Sequence, residues 1–115
     1  MCMKIGIVNK LIQYFPELKG DIESHLEIFH GIYLHLIFGD VFNPFLLNLL
    51  DNPQINRLEL IKASELIEYM SNLDNSVQEV VVTTVLERLL SEPKKFTLFS
   101  EIAGEQTRQF ITDLK

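Results

Sequence analysis

The feature that most constrains the fold is the stretch SVQEVVVTTVLERLL at residues 76–90, where composition and spacing point to different structures. Residues 80–85 are all β-branched, which is typical of β-strands. Two apolar stripes, however, repeat at helical intervals: Val82, Val85, Leu86 and Leu89, and Val77 with Val81. Packing of both stripes outweighs a propensity penalty of roughly half a kcal/mol per residue. We therefore predict a central helix, buried on two sides, that opens with a capping box at Ser76 and Glu79.

Helical periodicity extends over most of the remaining chain. It predicts further helices at residues 4–15, 16–30, 55–71, 94–102 and 105–115. The second of these should point Leu18, Ile22, Leu26 and Phe29 inward and Glu17, Asp21, Glu23 and Glu27 outward. The helix at 55–71 should bury Leu60, Ala63, Leu66, Ile67 and Met70. Its Glu65 and Glu68 should face solvent, so replacing Glu68 by lysine should leave the stability nearly unchanged.

The region between residues 31 and 53 is predicted to be broken into pieces. The apolar density of 32–42 indicates a buried segment, and Gly39-Asp40 is typical of a turn or helix end. Asn43 followed by Pro44 is a standard helix start, with Asn43 as the N-cap. Together these elements predict one compact all-α domain over residues 1–115, a bundle of about six or seven helices.

Length, cysteine content and hydropathy indicate a soluble cytoplasmic protein. A chain of 115 residues can bury a core unaided, and its single cysteine, Cys2, excludes disulfides and favours a reducing compartment. We interpret Cys2 as a spectator thiol. Residues 31–50 are apolar enough to raise the question of a membrane span, but they contain Asp40, which costs about 2.5–3.5 kcal/mol at mid-bilayer. We therefore expect no membrane association.

The charge distribution favours a basic protein partner over nucleic acid. The formal net charge is −6, whereas nucleic-acid affinity depends on Lys and Arg contacts. No basic side chain lies between Lys19 and Arg57, a stretch that holds Asp21, Glu23, Glu27, Asp40 and Asp51. If these carboxylates share a face, that face is acidic. The alternative is that they are separate solvated residues on different helices.

All three histidines fall within HLEIFHGIYLH at residues 25–35. Their spacing of five residues turns successive side chains by about 140° on a helix, so they cannot converge within one straight helix. A break at Gly31 could bring His30 and His35 together near Asp40, which leaves a metal or small-molecule site in 25–40 as an alternative. We expect instead that His35 is bonded within the core and that His25 and His30 are exposed or half-buried.

Catalytic motifs are missing from the sequence. It contains no nucleophile elbow, glycine-rich phosphate loop or H-E-x-x-H pattern. Glu87 is the best candidate for paired-carboxylate chemistry, but an ion pair or an exposed position is the simpler interpretation. We therefore expect a protein that is not an enzyme and that needs no cofactor.

The block YLHLIFGDVFNPFLLNLL resembles the signature of a little-studied bacterial family of small all-helical proteins of unknown function. Members carry a Leu-Pro-His block, then Phe-Gly-Asp, then an apolar helix, and here Leu34, His35 and residues 38–40 match. Tyr33-Leu34-His35 departs from the pattern because it lacks the proline. The similarity extends to VVVTTVLERL and to residues 104–107. The resemblance implies an all-α fold and, since some members lie near toxin loci, an immunity or partner-binding role without catalytic residues.

These inferences favour a non-enzymatic protein-interaction module, of the immunity type, whose acidic N-terminal half docks a basic partner. The residues expected to contact that partner are Asp21, Glu23, Glu27, His35 and Asp40. A small-molecule or metal-binding protein using residues 25–40 is the alternative. A homodimer formed through the Phe and Leu residues of 29–50 is compatible with either.

Overall fold

The computed structural model describes residues 3–114, and within that range all regular structure is helical. Seven helices follow one another, and two of them combine α- and π-helical turns. They are α1 (Met3–Tyr14), α2 (Lys19–Phe29, after a 3₁₀ turn at Pro16–Leu18), α3 (34–51), α4 (Arg57–Ser71), α5 (75–90), α6 (Pro93–Ile102) and α7 (Glu105–Leu114). The predicted all-α class is confirmed, while Cys2 lies outside the described residues.

Helix α4 occupies the middle of the bundle. It packs against α1, α3, α5, α6 and α7, and its predicted stripe of Leu60, Ala63, Leu66, Ile67 and Met70 is buried throughout. The largest fully buried side chains around it include four phenylalanines: Phe15, Phe38, Phe42 and Phe99. The core is therefore formed by helix-on-helix packing of apolar stripes, as the periodicity predicts.

Helix α5 confirms that the valine-rich stretch is helical, but its predicted central position is wrong, since α4 is the central helix. Both predicted stripes face the core, because Val77, Val81, Val85, Leu86 and Leu89 are buried and Val82 is half-buried. The predicted capping box is wrong. The N-cap is Asp74, whose carboxylate accepts the N–H of Val77 at 3.1 Å and the hydroxyl of Ser76 at 2.8 Å.

Helix α3 runs without interruption through the predicted turn at Gly39-Asp40, so that prediction is wrong. Asn43 is not an N-cap either, since it lies inside the helix with φ −59° and ψ −48°. The following Pro44 has no N–H and crowds the preceding turn, which normally ends or kinks a helix. Here the preceding residues Phe38–Phe42 form a π-helical segment, in which the N–H of Asn43 donates to the carbonyl of Phe38. This wider turn is the local adjustment that accommodates the proline inside α3.

Helix α2 is present, but part of its inward face differs from the prediction. Ile22 and Leu18 are buried as expected, whereas Phe29 is 41% exposed. His25 takes the buried position instead, at 7% exposure. The helix ends at His30, which adopts the left-handed conformation with φ 55°, and Gly31 follows it.

Candidate functional site

The buried His25 joins α2 to the π-helical segment of α3. Its Nε2 donates to Oδ2 of Asp40 at 3.3 Å, and its ring lies 4.5 Å from that of Phe29. The Asp40 carboxylate itself is 60% exposed. Nδ1 of His25 is buried and has no hydrogen-bond partner among the described residues. The pair therefore holds an exposed carboxylate at a fixed place beside α2.

Thr84 on α5 is held by two side chains of α3, an arrangement that we call the Thr84 clasp (His35, Asn43 and Thr84). Nδ1 of His35 lies 2.6 Å from the Thr84 hydroxyl, and the Asn43 amide donates to the Thr84 carbonyl at 2.9 Å. His35 is exposed and His25 is buried, so the predicted assignment of these two histidines is wrong. Asn43, by contrast, is only 5% exposed.

The clasp lies where two π-helical segments, Phe38–Phe42 of α3 and Val80–Leu86 of α5, pack against each other. Gly39 of α3 faces Thr84 here, and a Cβ on Gly39 would lie 3.6 Å from Cγ2 of Thr84, which is ordinary van der Waals contact. In a π turn each N–H bonds five residues back, so some carbonyls become available to outside donors. Within the second segment, the Thr84 carbonyl accepts from the Asn43 amide. Since π turns recur at functional sites, this contact is the most distinctive backbone feature of the fold.

A cleft of about 480 Å³ opens next to the clasp, between α1, the start of α3 and the start of α5. Its apolar lining comprises Met3, Tyr33, Leu34, Leu36, Val77 and Val80. Lys4, His35 and Glu79 add polar groups at the same opening. Such a volume, mostly apolar with a few polar groups, suits either a small ligand or an apolar side chain from a protein partner.

The outward side of α2 carries three of the sequence-predicted partner residues. Asp21, Glu23 and Glu27 are exposed and form no ion pair within residues 3–114. At 100° per residue they span an arc of about 160° on one side of the helix. Asp40 is held at α2 by its contact with His25, which lies about 40° around the helix from Asp21. We call Asp21, Glu23, Glu27 and Asp40 the acidic face.

The other residues considered for metal binding or catalysis do not form a cluster within the described part of the chain. No group of three or more potential metal ligands lies together within residues 3–114. His30 forms the end of α2, and the other two histidines have their own partners, Asp40 and Thr84. Glu87 is exposed, as one of its two interpretations predicts. No helix among the described residues is both long and apolar enough to cross a bilayer.

Glu68 is a polar residue whose role the sequence pattern missed. It is half-buried on α4, and its carboxylate accepts the N–H groups of Gln106 and Thr107 at 3.1 and 2.9 Å. It also accepts the Thr107 hydroxyl at 2.8 Å and the Asn72 amide at 3.0 Å. The expectation that Glu68 faces solvent is therefore wrong. Glu68 caps the N-terminus of α7 from another helix.

The chain contained one signal for this cap. Helix α7 follows Ala103-Gly104, neither of which offers a side-chain acceptor for the first N–H groups. Burial alone would raise the pKa of Glu68, but the hydrogen bonds from Thr107, Gln106 and Asn72 outweigh it, and the net pKa is lowered. The carboxylate is thus held in its charged form at the positive end of the α7 dipole.

The fold and these contacts define a class of protein: a small all-α domain in which two π-helical segments pack against each other beside an acidic helix face. The chain belongs to the DUF7674 family, a domain of unknown function whose sequence profile matches residues 8–114. The predicted resemblance to an uncharacterised family is confirmed at that level. No curated protein and no solved structure matches the chain.

Proposed function

We propose that this protein is a non-enzymatic interaction module that binds a basic protein partner through the acidic face. The observation that carries the proposal is the exposure of Asp21, Glu23 and Glu27, none of which forms an ion pair in the described part of the chain. Carboxylates placed in this way steer a basic partner and speed its association. Asp40 adds a fourth carboxylate in a position that His25 fixes.

Exposed apolar side chains near the acidic face offer the water-excluding contacts that carboxylates cannot make. Ile28, Phe29, Tyr33 and Leu36 are 68%, 41%, 50% and 39% exposed. A protein interface combines charged rim contacts, which set orientation, with apolar and aromatic contacts that exclude water. The partner expected here therefore carries Lys or Arg next to apolar residues, and one of these enters the cleft beside Tyr33.

His35 fits the same proposal. Its Nδ1 is engaged by Thr84, which leaves Nε2 for a partner at the edge of the cleft. The clasp restrains the ring, so that a contact with it costs less conformational entropy than a contact with a free side chain. His35 and the acidic face thus form the proposed partner-binding set.

The resemblance to bacterial proteins encoded near toxin loci supports a more specific role. An immunity-type protein acting in the bacterial cytoplasm would cover a basic surface of its toxin and needs no chemistry of its own. Electrostatic complementarity provides the fast encounter that such protection requires.

The test is capture from the native host at low and high salt with three forms of the full chain. One variant neutralises the proposed site (Asp21→Asn, Glu23→Gln, Glu27→Gln), and a matched control neutralises exposed carboxylates elsewhere (Glu65→Gln, Glu87→Gln, Asp113→Asn). Both variants change the formal charge from −6 to −3, since each removes three negative charges. We expect a specific protein to be captured by the wild type and the control, with salt-sensitive affinity, and lost by the site variant. Equal capture by both variants, or binding indifferent to salt, would refute the acidic face as the site.

A small-molecule site is the second proposal, and the cleft is the observation that favours it. Its roughly 480 Å³ lies within the size range of ligand pockets, and His35 and Lys4 offer polar contacts at its edge. Native mass spectrometry and metal analysis of protein freshly purified from its host test it. A bound molecule or ion at stoichiometric occupancy supports this proposal. The unliganded mass with near-zero zinc, iron and manganese rejects it.

A further inference from the structure

A second exposed apolar surface lies at the start of α4 and shares no residue with the acidic face. Ile55 and Leu58 are 84% and 71% exposed, more than any other large hydrophobic residue that the structure describes. Ile61, three residues further, continues the row at 36% exposure. Single exposed apolar residues are ordinary on protein surfaces, but Leu58 and Ile61 are neighbours on one face of α4, and Ile55 lies in the turn just before this helix. We call Ile55, Leu58 and Ile61 the α4 ridge.

A groove runs beside the α4 ridge. It encloses about 290 Å³ between the end of α3, the start of α4 and helix α6. Its apolar lining comprises Leu50, Pro53, Leu60, Ile61, Leu98 and Ile102. Because Ile61 belongs to both the ridge and the groove, this face presents a protrusion and a recess side by side.

Two opposite charges stand at the same groove. Arg57 and Glu101 both line it, and neither side chain forms an ion pair within residues 3–114. Arg57 lies in the first turn of α4 and Glu101 in the last turn of α6. The helix dipole disfavours a cation at the first position and an anion at the second, so neither charge helps its own helix. A role for both charges in binding would explain their placement.

We infer that this face is a two-fold interface between two copies of this chain. A two-fold interface uses the same patch on both copies, so the patch must be complementary to itself. The face meets this requirement in two ways: it presents exposed apolar side chains beside an apolar groove, and Arg57 is opposite in charge to Glu101 of the second copy. The interface replaces residues 29–50 as the dimer face, since their large apolar side chains are mostly in the core: Leu34, Ile37, Phe38, Phe42, Leu46, Leu49 and Leu50.

Sedimentation equilibrium of the full chain across the micromolar range tests the inference. The wild type should approach twice the chain mass of 13.3 kDa as its concentration rises. Leu58→Glu should remain monomeric at concentrations where the wild type is dimeric. The matched control is Ile28→Glu, which places the same charge on a residue that is 68% exposed on α2, and it should dimerise like the wild type. Helical circular dichroism checks that both variants are folded.

Exchanging the charges of Arg57 and Glu101 distinguishes the two-fold interface from non-specific hydrophobic association. Arg57→Glu and Glu101→Arg should each raise the dimer dissociation constant by roughly tenfold, because each places like charges together at two symmetric contacts. The double variant should restore dimerisation. Both substitutions suit the dipoles of their helices, so unfolding is not expected to interfere. A wild type that stays monomeric, equal weakening by Leu58→Glu and Ile28→Glu, or a double variant without recovery would each overturn the inference.

Discussion

The replacement Glu68→Gln tests the cap that α4 provides to α7. The carboxylate accepts two backbone N–H groups, of Gln106 and Thr107, and the Thr107 hydroxyl. Glutamine has almost the same size but only one acceptor oxygen, and its amide NH₂ would face N–H donors. The substitution therefore removes the charge and at least one hydrogen bond without leaving a cavity.

The magnitude follows from the kind of bond that is lost. An N-cap contributes about 1 kcal/mol, and a hydrogen bond to a charged group contributes about 1.5–3 kcal/mol. Since glutamine keeps one acceptor, Glu68→Gln should lower the free energy of unfolding by about 1–2 kcal/mol. Glu68→Ala should cost more, about 2–3 kcal/mol, because both N–H groups then lose their partner. The Thr107 hydroxyl retains Ser71 at 3.0 Å, which limits the loss.

The pH dependence gives an independent check on the same cap. Hydrogen bonding lowers the pKa of Glu68 in the folded state despite partial burial, which acts in the opposite direction. A lowered pKa means that its contribution is complete above the ordinary glutamate value of about 4.3 and is lost as the pH falls through the folded value. The gap in stability between the wild type and Glu68→Gln should therefore narrow as the solution is acidified below about pH 5.

Urea denaturation followed by circular dichroism, at a series of pH values, measures both effects. Glu65→Gln is the matched control, because Glu65 lies on the same helix and is exposed. It should change the free energy of unfolding by less than about 0.5 kcal/mol. Equal stability of Glu68→Gln and Glu65→Gln at neutral pH would contradict the cap. So would a difference in the free energy of unfolding between the wild type and Glu68→Gln that does not depend on pH.

Three further substitutions test the core and the Thr84 clasp, each by thermal or urea denaturation against the wild type. Val85→Asp should unfold the protein, costing several kcal/mol, because residue 85 is fully buried; a folded variant would contradict the burial of α5. Asn43→Ala should cost about 1–3 kcal/mol, since the Thr84 carbonyl loses its donor; an unchanged melting temperature would refute that bond. Gly39→Ala should stabilise by roughly 0.5–1 kcal/mol, because its Cβ makes ordinary contact with Thr84; destabilisation would show that the helices cannot accept a methyl group there.

Apolar periodicity was sufficient to predict most of the fold. The stripe of α4 was predicted completely, and the valine-rich α5 was identified as helical despite its β-branched composition. Both succeed for the same physical reason: a stripe that repeats over many turns buries a large area, and this outweighs the intrinsic preferences of its residues.

The burial of the histidines could not be predicted from apolar periodicity. Their spacing of five predicts that they do not converge on one helix face, and in the structure His25 and His35 lie on two different helices, α2 and α3. Which histidine is buried depends on a neighbour from another helix: Asp40 bonds the ring of His25, while Thr84 meets His35 at the surface. A local pattern cannot supply that information, because the partners lie 15 and 49 residues away.

Two further errors, at Asn43 and at Glu68, concern backbone groups rather than side chains. Pro44 disturbs the turns of α3, and Ala103-Gly104 leaves the start of α7 without a cap of its own. Local rules interpret the first as a helix start and take no account of the second. In the folded chain Asn43 donates to α5 and Glu68 accepts from α7, so each side chain satisfies backbone groups on a helix other than its own. Where a sequence leaves backbone N–H groups without a local acceptor, as at the start of α7, a polar side chain from another helix is expected to bind them. Half-buried polar residues with no evident local role, such as Glu68, are the first candidates.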